Sequence, residues 1–182
     1  LSLTDEELVS RIRDRDPAAF QIVVETHFQA IAAYTNRMLA DPSEAEDIVQ
    51  EVFIRLWTRA DNWQSGKARL STWLHSIAHN LCIDHFRKHK RVVGSEMLPE
   101  TIGGEEPEQN LTAETNSQHI RTAISSLPER QRSALVLCHY QGLSNKEAAL
   151  IMEVSTEALE SLLARGRRSL RDKLAGKEVD NA

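Results

Sequence analysis

Residues 143–174 read LSNKEAALIMEVSTEALESLLARGRRSLRDKL, and this stretch decides the fold. Ser144 and Glu147 have the capping-box spacing, in which a hydroxyl and a carboxylate satisfy orphan backbone donors at a helix start. A short helix is predicted over Asn145 to about Met152. Glu153-Val154-Ser155 turns the chain, and Ser155 caps a second helix running to about Leu174. Ala148 and Ala149 are small, so the two helices can cross closely, with Ile151 and Val154 plugging the space between them. On the second helix Leu159, Leu163, Leu170 and Leu174 share one stripe. Glu157, Glu160, Ser161, Arg165, Arg168 and Arg171 share the opposite face. Two helices joined by a tight turn, the second turned to solvent, make a helix-turn-helix. Acids first and bases last is also the order a helix dipole favours, so a plain helical hairpin fits the same residues. If the second helix enters a major groove, Thr156, Glu157, Glu160 and Ser161 meet base edges, and Arg165, Arg167, Arg168 and Arg171 lie near phosphates.

Working upstream, Gly142 ends a helix that Pro128 opens, and Ile120, Ile124 and Leu127 mark another. This module spans 113–182. Before it, residues 94–112 read GSEMLPETIGGEEPEQNLT, with five Glu and no basic residue. The segment holds three of the seven Gly and two of the five Pro, which reads as an acidic linker. Residues 1–93 form the other module. Thr4 with Glu7 caps a short helix to about Asp14. Asp16-Pro17 and Asp41-Pro42 each pair an N-cap with proline at the first helical position. Four helices are predicted here, the last from Leu70 to Lys90. No Gly precedes Gly66, and frequent turns are excluded, so the fold class is all-α: two helical modules joined by an acidic flexible linker, the second a winged-helix-like helix-turn-helix. A long polar linker predicts that the modules move relative to each other.

The third helix, DPSEAEDIVQEVFIRLWTRADNW, places Ile48, Val52, Leu56 and Ala60 on one stripe. Phe53 and Trp57 form a neighbouring stripe with Asp47, Gln50, Glu51 and Ile54. Such a helix is either a partner-binding surface or a central helix buried on two sides; pattern alone favours the second. The fourth, LSTWLHSIAHNLCIDHFRKHKR, has a core face of Leu74, Ile77, Ala78 and Leu81 and a polar face of Thr72, Ser76, Asn80 and Arg87. Its basic end and the nearby Trp63 and Trp73 suit unpaired nucleic acid, where bases stack and cations track phosphates. His75, His79, Cys82, His85 and His89 also recur at helical spacing, which allows a metal-binding sensor. Half-exposed imidazoles without a metal are the expectation, so no metal or cofactor is predicted.

The chain has 182 residues and net charge −5, and the linker carries the whole excess. An unaided nucleic-acid binder draws most of its affinity from phosphate neutralisation, so a strong independent DNA binder is disfavoured. No apolar run approaches ~18 residues, so no membrane insertion is expected. The opening LSLTDEELVSRIRD lacks signal-peptide order, and Cys82 and Cys138 show no pairing pattern; a cytoplasmic location is expected. No Ser-His-Asp set, Gly-rich phosphate loop or H-E-x-x-H occurs, so the chain is not expected to be an enzyme.

Together these residues resemble the extracytoplasmic-function (group IV) sigma factors of bacterial RNA polymerase. DIVQEVFIRLW resembles the polymerase-binding helix, and STWLHSIAHNLCIDHFRKHKR the promoter-melting helix. LPERQRSALVLCHYQGLSNKEAALIMEVSTEALESLLARGRRSL resembles the −35-reading helix-turn-helix. The resemblance covers about Thr4 to Leu174. It implies that 1–93 is sigma region 2 and 113–182 sigma region 4, and that the chain directs core polymerase to promoters. Asp47, Gln50, Glu51, Phe53, Ile54 and Trp57 would contact the β′ clamp helices, and region 4 the β flap. Trp63, Lys67, Arg69 and the loop 64–71 would hold a flipped −10 base. Thr72, Trp73, Ser76, Asn80, Arg87 and Lys88 would line the melted strand. Ser144, Lys146, Thr156, Glu157, Glu160, Ser161, Arg165 and Arg168 would meet −35 DNA. An anti-sigma factor is implied as a further partner. The chain departs from the family's pattern at Glu160 and Leu162, where basic residues are common. Two other readings stay open: a free-standing helix-turn-helix regulator, and a metal sensor built on His75, His79, Cys82 and His85.

Overall fold

The computed structural model describes residues 3–93 and 113–179, and among these there is helix, turn and loop but no strand. The second module therefore carries no β wing among the described residues, and the acidic segment 94–112 lies outside them.

Local capping chemistry sets the helix starts. The Thr4 hydroxyl accepts from the Glu7 amide at 3.3 Å, and the Glu7 carboxylate accepts from the Thr4 amide at 2.8 Å, opening α1 (Asp5–Arg13). Asp16 and Asp41 accept from the Ala18 and Ser43 amides at 2.9 and 2.8 Å. Each is followed by proline, opening α2 (Pro17–Met38) and α3 (Pro42–Thr58). A single 3-10 turn (Ala60–Asn62) and a loop lead to α4 (Leu70–Val93). Val9, Ile12, Ile31, Met38, Val52, Leu56, Leu70 and Leu74 fill the space between these four helices. Each such fully buried aliphatic side chain contributes about 1.5–3 kcal/mol.

The second module comprises α5 (Ala113–Ser125), α6 (Glu129–Leu135), α7 (Asn145–Met152) and α8 (Thr156–Val179). Where one regular helix was expected up to Gly142, α6 widens into a π-helical turn at Val136–Tyr140. Gly142 then takes φ +66°, and Glu153 takes φ +54° between α7 and α8, the left-handed conformation that stops a helix. Gly166 brings α8 against α6: a Cβ there would lie 2.9 Å from Leu135 Cδ1.

The modules are packed together, contrary to the independence expected from the polar linker. Helices α6 and α7 and the π turn lie against α2 and α4. The Tyr34 hydroxyl lies 3.0 Å from His79 Nδ1 and 3.2 Å from Ser133 Oγ, and Ser133 Oγ lies 2.9 Å from the same His79 nitrogen. The Arg132 guanidinium donates to the carbonyl of Met38 across the junction, and within its own module to those of Ser125 and Leu127. Arg132 also lies 5.3 Å over the Phe86 ring, and Arg37 lies 4.4 Å over Tyr140. At the edges His75 Nε2 meets Gln141 Oε1 at 3.2 Å, and Lys90 meets Glu129 at 2.9 Å. The physical reason for the difference is that polar side chains of both modules complete each other's hydrogen bonds in a shared apolar core. A polar linker carries no information about such a junction.

Candidate functional site

Three exposed surfaces come from three local causes. The first lies along α3. Its Ala45, Ile48, Val49, Val52 and Leu56 face the core, while Ile54 is 53% exposed. Pro17 and Phe20 of α2 join Gln50, Phe53, Ile54 and Trp57 around an open apolar groove of about 490 Å³. Phe20 meets Trp57 edge-on at 5.2 Å, and Phe28 stacks on Phe53 at 6.3 Å. Arg15 donates to the Trp57 carbonyl at 2.7 Å and lies over the indole, which fixes that wall. Burial on two sides, favoured by pattern alone, holds in part: Phe53 is buried and Trp57 half-buried, while Gln50 and Ile54 of the same stripe stay exposed. Asp47 and Glu51 lie outside the groove lining, and Glu51 pairs with Arg55 at 2.7 Å. Pro17 and Phe20 belong to another helix, so the pattern of α3 alone does not show this far wall.

The second surface is α4 and the loop before it. Trp63 is buried, and its indole N–H donates to the Ala68 carbonyl at 3.1 Å. This bond pins the loop, and Trp63 also lines the cleft beside it. Gly66 at φ +88° lets the loop turn back. A cleft of about 470 Å³ opens between this loop and the α1 start, lined by Thr4, Asp5, Glu6, Ser65, Lys67 and Arg69 among others. On α4, Asn80, Arg87 and Lys88 are exposed, whereas Ser76 is half-buried and donates to the Thr72 carbonyl at 3.0 Å. Trp73 packs partly into the core. Thr72 is buried, with no partner for its hydroxyl among the described residues. Thr72 is thus withdrawn from the solvent-facing part of the polar face on which its spacing places it.

The third surface is the outer face of α8. Thr156, Glu157, Glu160, Ser161, Arg165 and Arg168 are all exposed there, over buried Leu159 and Leu163. Ser155 accepts from the Ala158 amide at 3.1 Å, as its capping position predicts. Lys146 is exposed on α7. The Ser144 hydroxyl is spent inside its own cap, accepting from the Glu147 amide and donating to the Glu147 carboxylate, both at 3.1 Å. Ser144 is therefore a cap and not a free donor for DNA. The Ser144 amide also donates to the Glu147 carboxylate, at 3.0 Å, and this bond holds that carboxyl below its ordinary value.

The His/Cys stripe does not converge. His75 binds the Ser71 carbonyl and Gln141, His79 binds Tyr34 and Ser133, and burial pushes the Cys82 thiol up to about 12. A metal centre on His75, His79, Cys82 and His85 is thus excluded by commitment of its ligands elsewhere. His79 carries a pH dependence instead. Burial, with a smaller effect of the Arg130 charge, lowers it to about 4. Tyr34 and Ser133 both lie within hydrogen-bond reach of its Nδ1. An opened or unfolded chain returns it to its ordinary value near ~6.5. Between those values the open state binds a proton that the packed state refuses, so stability falls as pH drops through that window and is fully present above it. The loss approaches ~3 kcal/mol. Denaturant unfolding from pH 4.5 to 7.5 checks this: His79→Gln should flatten the profile relative to wild type, and identical slopes would refute the assignment.

No helix among the described residues is long and apolar enough to cross a membrane. The sequence matches the model of sigma-70 region 2 over residues 23–92 and that of sigma-70 region 4 over residues 117–170. It is 32% identical to the ECF RNA polymerase sigma factor SigW of Bacillus subtilis, covering 91% of this chain and 94% of that protein. It is 33% identical to the ECF RNA polymerase sigma factor SigE of Mycolicibacterium smegmatis, covering 88% of this chain and 63% of that protein. The sigma factor RpoE of Bartonella quintana, solved in complex with the anti-sigma factor NepR, superposes with a TM-score of 0.72 at 25% identity. The match covers 86% of this chain and 96% of that one.

Proposed function

Because the chain belongs to the extracytoplasmic-function sigma factors, a transcription-initiation family, we propose that it binds core RNA polymerase through the α3 groove and selects promoters through α4 and α8. The observation that carries this reading is the groove of Pro17, Phe20, Gln50, Phe53, Ile54 and Trp57. A solvent-open apolar trough walled by fixed aromatics suits a helical partner surface, the geometry of helix-in-groove recognition. We assign it to the β′ clamp helices, and region 4 to the β flap.

Residues 1–93 act as region 2 and 113–182 as region 4, with 94–112 between them. Asn80, Arg87 and Lys88 follow the melted −10 strand, with Lys67, Arg69 and the loop cleft at its other end. Thr156, Glu157, Glu160, Ser161, Arg165 and Arg168 meet the −35 duplex. With Glu160 on that face, phosphate anchoring rests on Arg165 and Arg168. The net charge of −5 fits a chain that borrows DNA affinity from its polymerase.

The packed arrangement is the promoter-silent form. It leaves the groove open while α6, α7 and the π turn lie against α2 and α4. Polymerase binding separates the modules and frees α4 for the melted strand. A partner that holds the modules together would keep the chain silent, and we assign this part to an anti-sigma factor.

The test is permanganate footprinting of promoter opening by core polymerase with this chain. Asn80→Ala should reduce opening about tenfold while leaving polymerase affinity unchanged, because one lost strand contact is worth ~1–3 kcal/mol. Full opening by Asn80→Ala would remove α4 from the −10 assignment.

A further inference from the structure

We propose that Glu44, His85 and His89 form a site for a divalent transition-metal cation of the zinc, cobalt or nickel class. His85 and His89 stand one turn apart on α4, so their rings project side by side, with centroids 4.5 Å apart. Glu44, in the first turn of α3, faces both. Its carboxylate oxygens lie 3.0 Å from His85 Nε2 and 3.9 Å from His89 Nε2. The three donor atoms all fall within 4.8 Å of one another.

Ligands held ~2.0–2.2 Å from a tetrahedral ion lie roughly 3.4 Å apart. The two carboxylate–imidazole separations, one to each Glu44 oxygen, lie on either side of that value, and all three donors fall within 4.8 Å, so side-chain rotations can bring them onto one ion. Two imidazoles and one carboxylate suit zinc-like ions and disfavour magnesium and calcium, which want oxygen ligands. A simple ion pair needs one imidazole; here a second one turns to the same carboxylate.

The electrostatics permit a cation despite the basic end of α4. Lys90 is turned away to Glu129 at 2.9 Å, and Arg87 is paired with Asp84 at 3.3 Å. The side chains of His85, Glu44 and His89 are 21%, 38% and 59% exposed, so the ion can enter from solvent and keep water in its remaining positions. Both supports are helical, and Glu44 follows the Asp41 cap that fixes the start of α3. The buried His75, His79 and Cys82 take no part. A bound ion would tie the start of the groove helix α3 to the last turns of α4, next to Lys88. The site stands on this geometry alone and does not depend on the polymerase assignment.

The experiment is a titration of the full chain with Co²⁺ alone, read by its visible d–d absorption, with Zn²⁺ as competitor. Wild type should bind one equivalent, and Zn²⁺ should displace it and raise the melting temperature. His89→Ala and Glu44→Gln should each weaken binding at least tenfold and lose the Zn²⁺-dependent rise. His119→Ala, an exposed histidine on α5, should behave as wild type. Circular dichroism of each variant confirms retained helix. No stoichiometric Co²⁺ binding by wild type, or wild-type binding by both site variants, would overturn the proposal.

Discussion

Replacing Ile54 with glutamate is expected to lower affinity for core RNA polymerase about thirtyfold, read by fluorescence anisotropy of the labelled chain. Ile54 is 53% exposed and lies on the rim of the α3 groove, so it supports little of the free chain's own stability. In a complex its burial and that of its neighbours are the main source of affinity. Losing one anchor and desolvating a carboxylate costs ~2 kcal/mol or more, which is the thirtyfold stated. The thermal midpoint of the free variant should stay within a degree or two of wild type. A variant that unfolds early would show that Ile54 serves the core. A variant that binds as wild type would show that polymerase docks elsewhere.

Replacing Arg132 with alanine is expected to open the packed modules. The guanidinium spans the carbonyls of Met38, Ser125 and Leu127, and burial lowers its pKa from the ordinary arginine value. Truncation leaves buried carbonyls without donors, at a cost of about 2–4 kcal/mol. Of the three Arg132 bonds only that to Met38 crosses to α2, so the loss falls on the junction and on the α5–α6 turn. Spin labels at the exposed positions Glu25 and Lys173, with Cys138 replaced by serine, would report the distance between modules. Wild type should give one narrow distribution, and Arg132→Ala a broad one at near-native helix content. A narrow, unshifted distribution in the variant would show that the apolar contacts alone hold the modules.

What could be read from the sequence was local. Thr4–Glu7, Asp16-Pro17, Asp41-Pro42, Ser144–Glu147 and Ser155 set helix starts through hydrogen bonds spanning two or three residues, and the structure has each of them. The exposed face of α8 was legible for the same reason, since its periodicity is intrinsic to one helix. The misses depend on distant partners. Tyr34 and Ser133 are 99 residues apart, and neither carries a pattern announcing that they meet around His79. The anchoring of Trp63 was not legible either, because nothing in the local pattern says that the Ala68 carbonyl holds its N–H. The convergence of His85 and His89 on Glu44 was hidden in a longer histidine stripe, because Glu44 belongs to another helix.

Run-off transcription tests the central claim most directly: purified bacterial core polymerase, a pool of promoter templates, and either wild-type chain or Ile54→Glu. Wild type should produce discrete start sites absent with core polymerase alone, and Ile54→Glu at the same concentration should produce few or none. Absence of any chain-dependent start, together with tight duplex binding by the chain without polymerase, would contradict the account and identify a free-standing regulator.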